Sequence, residues 1–134
     1  MQFCIVFSQR KLSDCEYIDV GKSLSEALSL MDPGSCSFLM DAETALLDII
    51  SRGQHITTTG YPYVAIDNIN ILFEPELNFN VRALIESFAK NRNLVIKVSR
   101  RIDGTTYFPF EGSREFSLDL QGISFIQVLK SDEK

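Results

Sequence analysis

Three stretches of this sequence carry residue types that could do chemistry. The first is Gly21-Lys22-Ser23. Placed after a strand and before a helix, such a triplet ends a phosphate-binding loop. Its glycines let backbone N–H groups wrap the phosphates, its Lys reaches them, and its hydroxyl takes Mg2+. That motif needs another Gly five residues upstream. Glu16 stands there, followed by Tyr17, Ile18, Asp19 and Val20. A bulky β-forming stretch cannot make the anion nest, and Glu16 and Asp19 repel phosphate. The triplet therefore reads as a helix start capped by Ser23, with Glu26 at the capping-box spacing.

The second stretch is Val64-Ala65-Ile66-Asp67-Asn68. Four apolar residues ending on a carboxylate describe a Walker B-like strand, whose Asp orients Mg2+ at the sheet's carboxyl edge. Many parallel strands end on Asp, so the pattern is weak alone. Asn68 stands where ATPases often place a Glu base, and Asn cannot accept a proton at neutral pH. The third is His55, the only histidine, in a polar loop and without a partner at ligand spacing. It reads as a surface residue. No nucleophile motif occurs, and the acidic pairs Glu74/Glu76 and Asp41/Glu43 read as solvated. No catalytic residue, cofactor or metal is expected.

The 134 residues suit one domain, expected over 1–130 with a polar tail at 131–134. With 45% hydrophobic residues, ten Phe and no Trp, the chain can bury a core of Phe, Ile, Leu and Val. The net charge of −5 does not indicate a whole-surface grip on nucleic acid. A local patch of Arg92, Lys97, Arg100 and Arg101 is the one candidate for anion or nucleic-acid contact. Its plainer reading is a solvated strand end. Three cysteines without C-x-x-C spacing make a zinc site or disulfide framework unlikely and fit a reducing cytosol. No signal peptide or membrane-crossing run is found, so a cytoplasmic protein is expected.

The elements that must position these residues alternate. Short apolar runs at 3–7, 16–20, 62–67 and 94–98 read as strands. Helical spacing predicts helices from Ser23 to Met31, from Ser37 to Arg52, and after an Asn80 cap with Val81, Leu84, Ile85 and Phe88 inward. Runs at 107–110, 116–120 and 124–129 are expected to add short strands to the sheet edge. Alternation implies an α/β fold with a largely parallel sheet flanked by helices.

From Tyr63 onward the sequence resembles the BrxF family of small P-loop NTPases in BREX phage-defence systems. The likeness is carried by Ile66-Asp67-Asn68-Ile69-Asn70-Ile71-Leu72-Phe73-Glu74-Pro75-Glu76-Leu77 and continues through Arg82 to Val95, fainter at Leu84 to Phe88 than at Asn91 to Val95. It covers residues 63–110 moderately and 17–31 weakly. It implies a three-layer P-loop-like fold in which Asp67, with Asn68, is the remnant of a Mg2+ site. The family carries a glycine-rich loop after its first strand. Here Ser8-Gln9-Arg10-Lys11-Leu12-Ser13-Asp14 contains no glycine, so phosphate binding and catalysis are not carried over. Two functions stay open. One is a non-catalytic adaptor with a protein partner in a defence complex, docking through Phe73, Leu77 and Phe79. The other is a residual nucleotide or DNA binder using the Asp67, Arg92 and Arg100 edge of the sheet.

Overall fold

Pro62–Asp67 forms the strand that its apolar run predicts, and the sheet is assembled on both sides of it. The computed structural model describes residues 4–100, 102–110 and 117–129. In chain order these hold strands β1 (Ile5–Ser8) and β2 (Tyr17–Asp19), then helices α1 (Val20–Leu28) and α2 (Phe38–Arg52). Strands β3 (His55–Ile56) and β4 (Pro62–Asp67) follow, then two 3-10 turns (Ile69–Phe73 and Pro75–Leu77) and helix α3 (Val81–Phe88). Strands β5 (Asn93–Lys97), β6 (Thr106–Tyr107), β7 (Leu118–Asp119) and β8 (Ile126–Val128) complete the order.

The main sheet runs β2-β4-β5-β1-β8, parallel throughout, with β3 added antiparallel to the start of β4. Period-two alternation divides its side chains between two faces. Ile5, Phe7, Val64, Ile66, Leu94 and Ile96 share one face by register. That face packs against buried residues from all three helices, among them Leu24, Leu46 and Ile85, in one continuous core. The opposite face carries a smaller cluster of Tyr63, Ala65 and Val95, against which Val6, Leu12, Cys15 and Tyr17 pack.

The helices therefore bury their apolar stripes on a single face. The expected third layer is not formed by the described residues. Its place is taken by the segment between β1 and β2, which is too short to fold back as a helix. Two tyrosines of the sheet hold that segment: the Leu12 N–H donates to the Tyr17 hydroxyl at 2.9 Å, and the Glu16 N–H donates to the Tyr63 hydroxyl at 3.3 Å. Burial raises the pKa of Tyr17, so this hydroxyl stays neutral while it accepts the Leu12 N–H.

Local chemistry accounts for the helix ends. Asn80 accepts the Ala83 N–H at 3.1 Å and caps α3, as its sequence position predicts. The start of α1 differs from expectation. Asp19, not Ser23, is the cap, and its carboxylate accepts the Lys22 N–H at 2.9 Å. Gly21-Lys22-Ser23 thus lies inside the first turns of α1. The C-terminal runs also divide differently. Among the described residues only β8 joins the main sheet, beside β1, while β6 and β7 pair with each other in a separate ribbon. Phe116 and the tail at 131–134 lie outside the described residues.

The docking residues read from the sequence turn inward. Phe73 is 7% exposed and Leu77 is 4% exposed; both belong to the core. Phe79 is half-buried against it. The 3-10 turns bury Phe73 and Leu77 in the core, so the exposed patch that docking requires is not formed there. No described helix is long and apolar enough to cross a membrane.

Replacing Tyr17 with Phe removes one acceptor and leaves the Leu12 N–H unpaired. The expected cost is about 1 kcal/mol in chemical denaturation, with faster amide exchange at Leu12 and unchanged exchange in α3.

Candidate functional site at the carboxyl edge of the sheet

In a parallel sheet, ligands bind beyond the carboxyl ends of the strands. Register places Asp19 beside Asp67, and Ser8 beside Lys97, along that edge. Two neighbouring carboxylates repel each other unless donors or cations offset them. Asn68 meets both. Its backbone N–H donates to Asp67 Oδ1 at 2.7 Å, and its side-chain Nδ2 donates to Asp19 Oδ1 at 2.9 Å. That reach requires the left-handed backbone of Asn68, at φ 56 and ψ 53. Asn tolerates this region better than most residues.

The same reach explains Gly21. A Cβ there would lie 2.3 Å from Asn68 Nδ2 and 2.7 Å from its Cγ. The glycine that looked like part of a phosphate loop is the gap that admits an asparagine. The Lys22 N–H, one of the free donors that a helix start offers to an anion, is already bonded to Asp19. Its hydrogen bond, followed by that from Asn68, holds the Asp19 carboxyl below its ordinary range. A lowered folded-state pKa stabilises the fold above the unfolded value. That contribution is lost as pH falls through the folded value.

Asp67 is closed from the other side. Lys11, from the segment after β1, places Nζ 3.3 Å from Asp67 Oδ2 and 5.5 Å from the Tyr17 ring centroid. Both charged groups are partly exposed, so the pair itself contributes only about 0–1 kcal/mol. Position matters more than strength here. The turn after β1 is tied to itself: the buried Ser8 hydroxyl donates to the Arg10 carbonyl and accepts the Arg10 N–H. Cys15 N–H donates to the Leu12 carbonyl at 3.2 Å. Mg2+ dehydrates reluctantly and is usually held by one or two carboxylates together with substrate phosphates. Here one Asp67 oxygen accepts from Asn68 and the other faces an ammonium group, and the segment from Ser8 to Asp14 that follows β1 holds no glycine.

A cleft of about 200 Å3 opens next to Asp67, lined also by Asn70, Lys97, Ser99 and Tyr107. Ligand pockets usually measure roughly 300–1,000 Å3, so this cleft is small for a nucleotide. Burial raises the pKa of Tyr107, and hydrogen bonds with Ser99 and Arg100 offset part of that rise.

The arginines do not converge on the edge. Arg92 stands at the amino end of β5, and a five-residue strand separates it from Lys97 at the carboxyl end by about 16 Å. Its Nε donates to Gln54 Oε1 at 2.6 Å and its Nη1 to the Phe88 carbonyl at 3.2 Å, which fastens α3 to the loop after α2. Arg100 Nη1 donates to the Phe110 carbonyl at 2.9 Å. Arg101 lies outside the described residues. The expected edge of Asp67, Arg92 and Arg100 is corrected at Arg92, which stands at the amino end of β5; Arg100 follows the carboxyl end of that strand and gives one N–H to the Phe110 carbonyl.

His55 is better connected than its loop suggested. Its Nδ1 lies 3.5 Å from Glu16 Oε2, and its ring stacks at a tilt on Tyr63, 5.6 Å between centroids. Among the described residues no group of three His, Cys, Asp or Glu side chains is arranged to hold a metal.

Comparison of the chain with family models, with curated proteins and with solved structures gives no match.

Sequence reasoning found Asp67 and Asn68 but missed Asp19 as the partner of the Asn68 amide and Lys11 as the partner of Asp67. One signal was present. An Asn after a strand and before a short turn favours the left-handed backbone, which turns its side chain back on its neighbours.

A Gly21→Ala substitution is expected to cost about 1–3 kcal/mol through overpacking against Asn68. An Asn68→Gly background removes the obstructing side chain. The Gly21→Ala cost measured there by urea denaturation should fall by at least half, a non-additivity expected of residues in contact.

Proposed function

We propose that this chain is a non-catalytic domain of P-loop-like build that works through contacts with other proteins. The setting suggested by the sequence resemblance is a prokaryotic phage-defence complex of BREX type. One observation carries the non-catalytic reading. The edge of the sheet that would take nucleotide is occupied by the chain's own groups: Asn68 and Lys11 on Asp67, and Asp19 on the start of α1.

Two further features support it. The segment after β1 lacks glycine and is pinned across the second sheet face by Tyr17 and Tyr63. A phosphate-binding loop followed by its helix would need that space. The core under α1, α2 and α3 is meanwhile complete, so the fold persists without the phosphate cradle. A domain that keeps its scaffold while its ligand edge is closed is suited to docking. The alternative of a residual nucleotide or DNA site has less support, since Arg92 stands at the opposite end of β5 from Asp67 and bonds Gln54 and the Phe88 carbonyl.

Calorimetric titration with ATP–Mg2+ and with double-stranded DNA, at low and moderate salt, tests this reading. No saturable binding is expected for either. Saturable micromolar binding of ATP–Mg2+ would return the chain to the nucleotide-binding proteins. Isolation from its host should bring down a large ATPase or methyltransferase subunit, whereas recovery as a lone monomer counts against the complex.

A further inference from the structure

The strand-end carboxylates are held by fixed groups and by one movable group. Asn68 is fixed, because its left-handed backbone aims both of its donors. Its bonds to Asp67 and Asp19, and the bond from the Lys22 N–H, all fall on Oδ1 atoms. The Oδ2 atom of Asp67 meets a different partner, the Lys11 ammonium at 3.3 Å. Lys11 is the movable group. Its side chain is 59% exposed and its Nζ lies over the Tyr17 ring.

Lys11 also acts on the second carboxylate. The Asp19 carboxyl is lowered first by the Lys22 N–H and then by Asn68, and the charges of Lys22 and Lys11 lower it further. One ammonium therefore serves two carboxylates that register places side by side on β2 and β4. Among the described residues only Lys11 comes within ion-pair distance of either one. The hydrogen bonds from Asn68 do not by themselves bar a metal, since ligating carboxylates are ordinarily hydrogen-bonded. A cation already seated on the remaining oxygen does, because two cations that close repel each other.

We infer that Lys11 is a tethered cation that stands in the place of a divalent metal at the Asp19–Asp67 edge and shuts that edge by charge. Removing the charge while the carboxylates stay in place opens a weak oxygen-ligand site for Mg2+ or Mn2+. The segment after β1 is then an autoinhibitory strap, and a modification that neutralises the exposed Lys11 amine would release it. The inference rests on the reading that the chain's own groups close this edge, and it names the group that excludes metal.

Mn2+ alone serves as the probe, read by paramagnetic broadening in the amide NMR spectrum of the full chain. The reporters are the Asn68 and Lys22 N–H groups, which donate to these two carboxylates. The parent should show no saturable broadening there. Lys11→Gln keeps most of the stem over Tyr17 and removes the charge. It should show saturable broadening at about millimolar Mn2+, and Lys11→Ala should do the same. Lys11→Arg should behave as the parent. Lys11→Gln with Asp67→Asn should lose the broadening. Lys22→Gln removes an equal charge from another place near Asp19 and should stay silent. Unmoved amide signals in α3 and β5 show that each variant is folded.

Saturable broadening in the parent overturns the inference, as does equal broadening in Lys22→Gln and Lys11→Gln. So does a folded Lys11→Gln that stays silent. Loss of the fold in both Lys11→Gln and Lys11→Ala also overturns it, since Lys11 is then structural. A silent Lys11→Gln leaves the non-catalytic reading standing. Binding of ATP–Mg2+ by the parent overturns that reading, whatever Lys11→Gln does with Mn2+ alone.

Discussion

Two carboxylates on neighbouring strands, Asp19 and Asp67, are held by one asparagine. Much of the carboxyl edge follows from that constraint. Asn68 must adopt a left-handed backbone to give its N–H to one carboxylate and its amide to the other. Gly21 must lack a side chain to make room for it. Asp19, so held, caps α1 and sets where that helix begins. Asp67 keeps one oxygen outward, and Lys11 meets it from the segment after β1. Each group is ordinary by itself. Together they tie both strand-end carboxylates to groups of the chain itself.

The one-sided helical cover depends on a different set of contacts. A parallel sheet needs both faces shielded from water. On the α1–α2–α3 face the shielding is a full core. On the other face it is the short segment carrying Leu12 and Cys15, fixed by two tyrosine hydroxyls. That economy suffices because the second-face cluster is small, with Ala65 at its centre and Tyr63 and Val95 around it.

Periodic features were legible in the sequence. The β4 run, the α2 stripe and the Asn80 cap all stand where residue spacing puts them, because burial on one face is a strong and repeated signal. Features set by one contact were not. Asp19 and Ser23 are both acceptable caps, and only the approach of Asn68 from a residue 49 positions away decides between them. The burial of Phe73 and Leu77 depends on 3-10 turns whose spacing gives no clear period. Arg92 looked like an anion contact because charge alone does not show that a guanidinium is already bonded within its own chain.

The most direct test follows the groups at the edge themselves. With the Asp carboxyl carbons and Lys side-chain nitrogens labelled, NMR can watch Asp67 and Lys11 during addition of Mg2+ and then ATP. The account predicts that the Asp67 carboxyl signal stays in place and Lys11 remains paired with it. A saturable shift of Asp67, accompanied by release of Lys11, would contradict it.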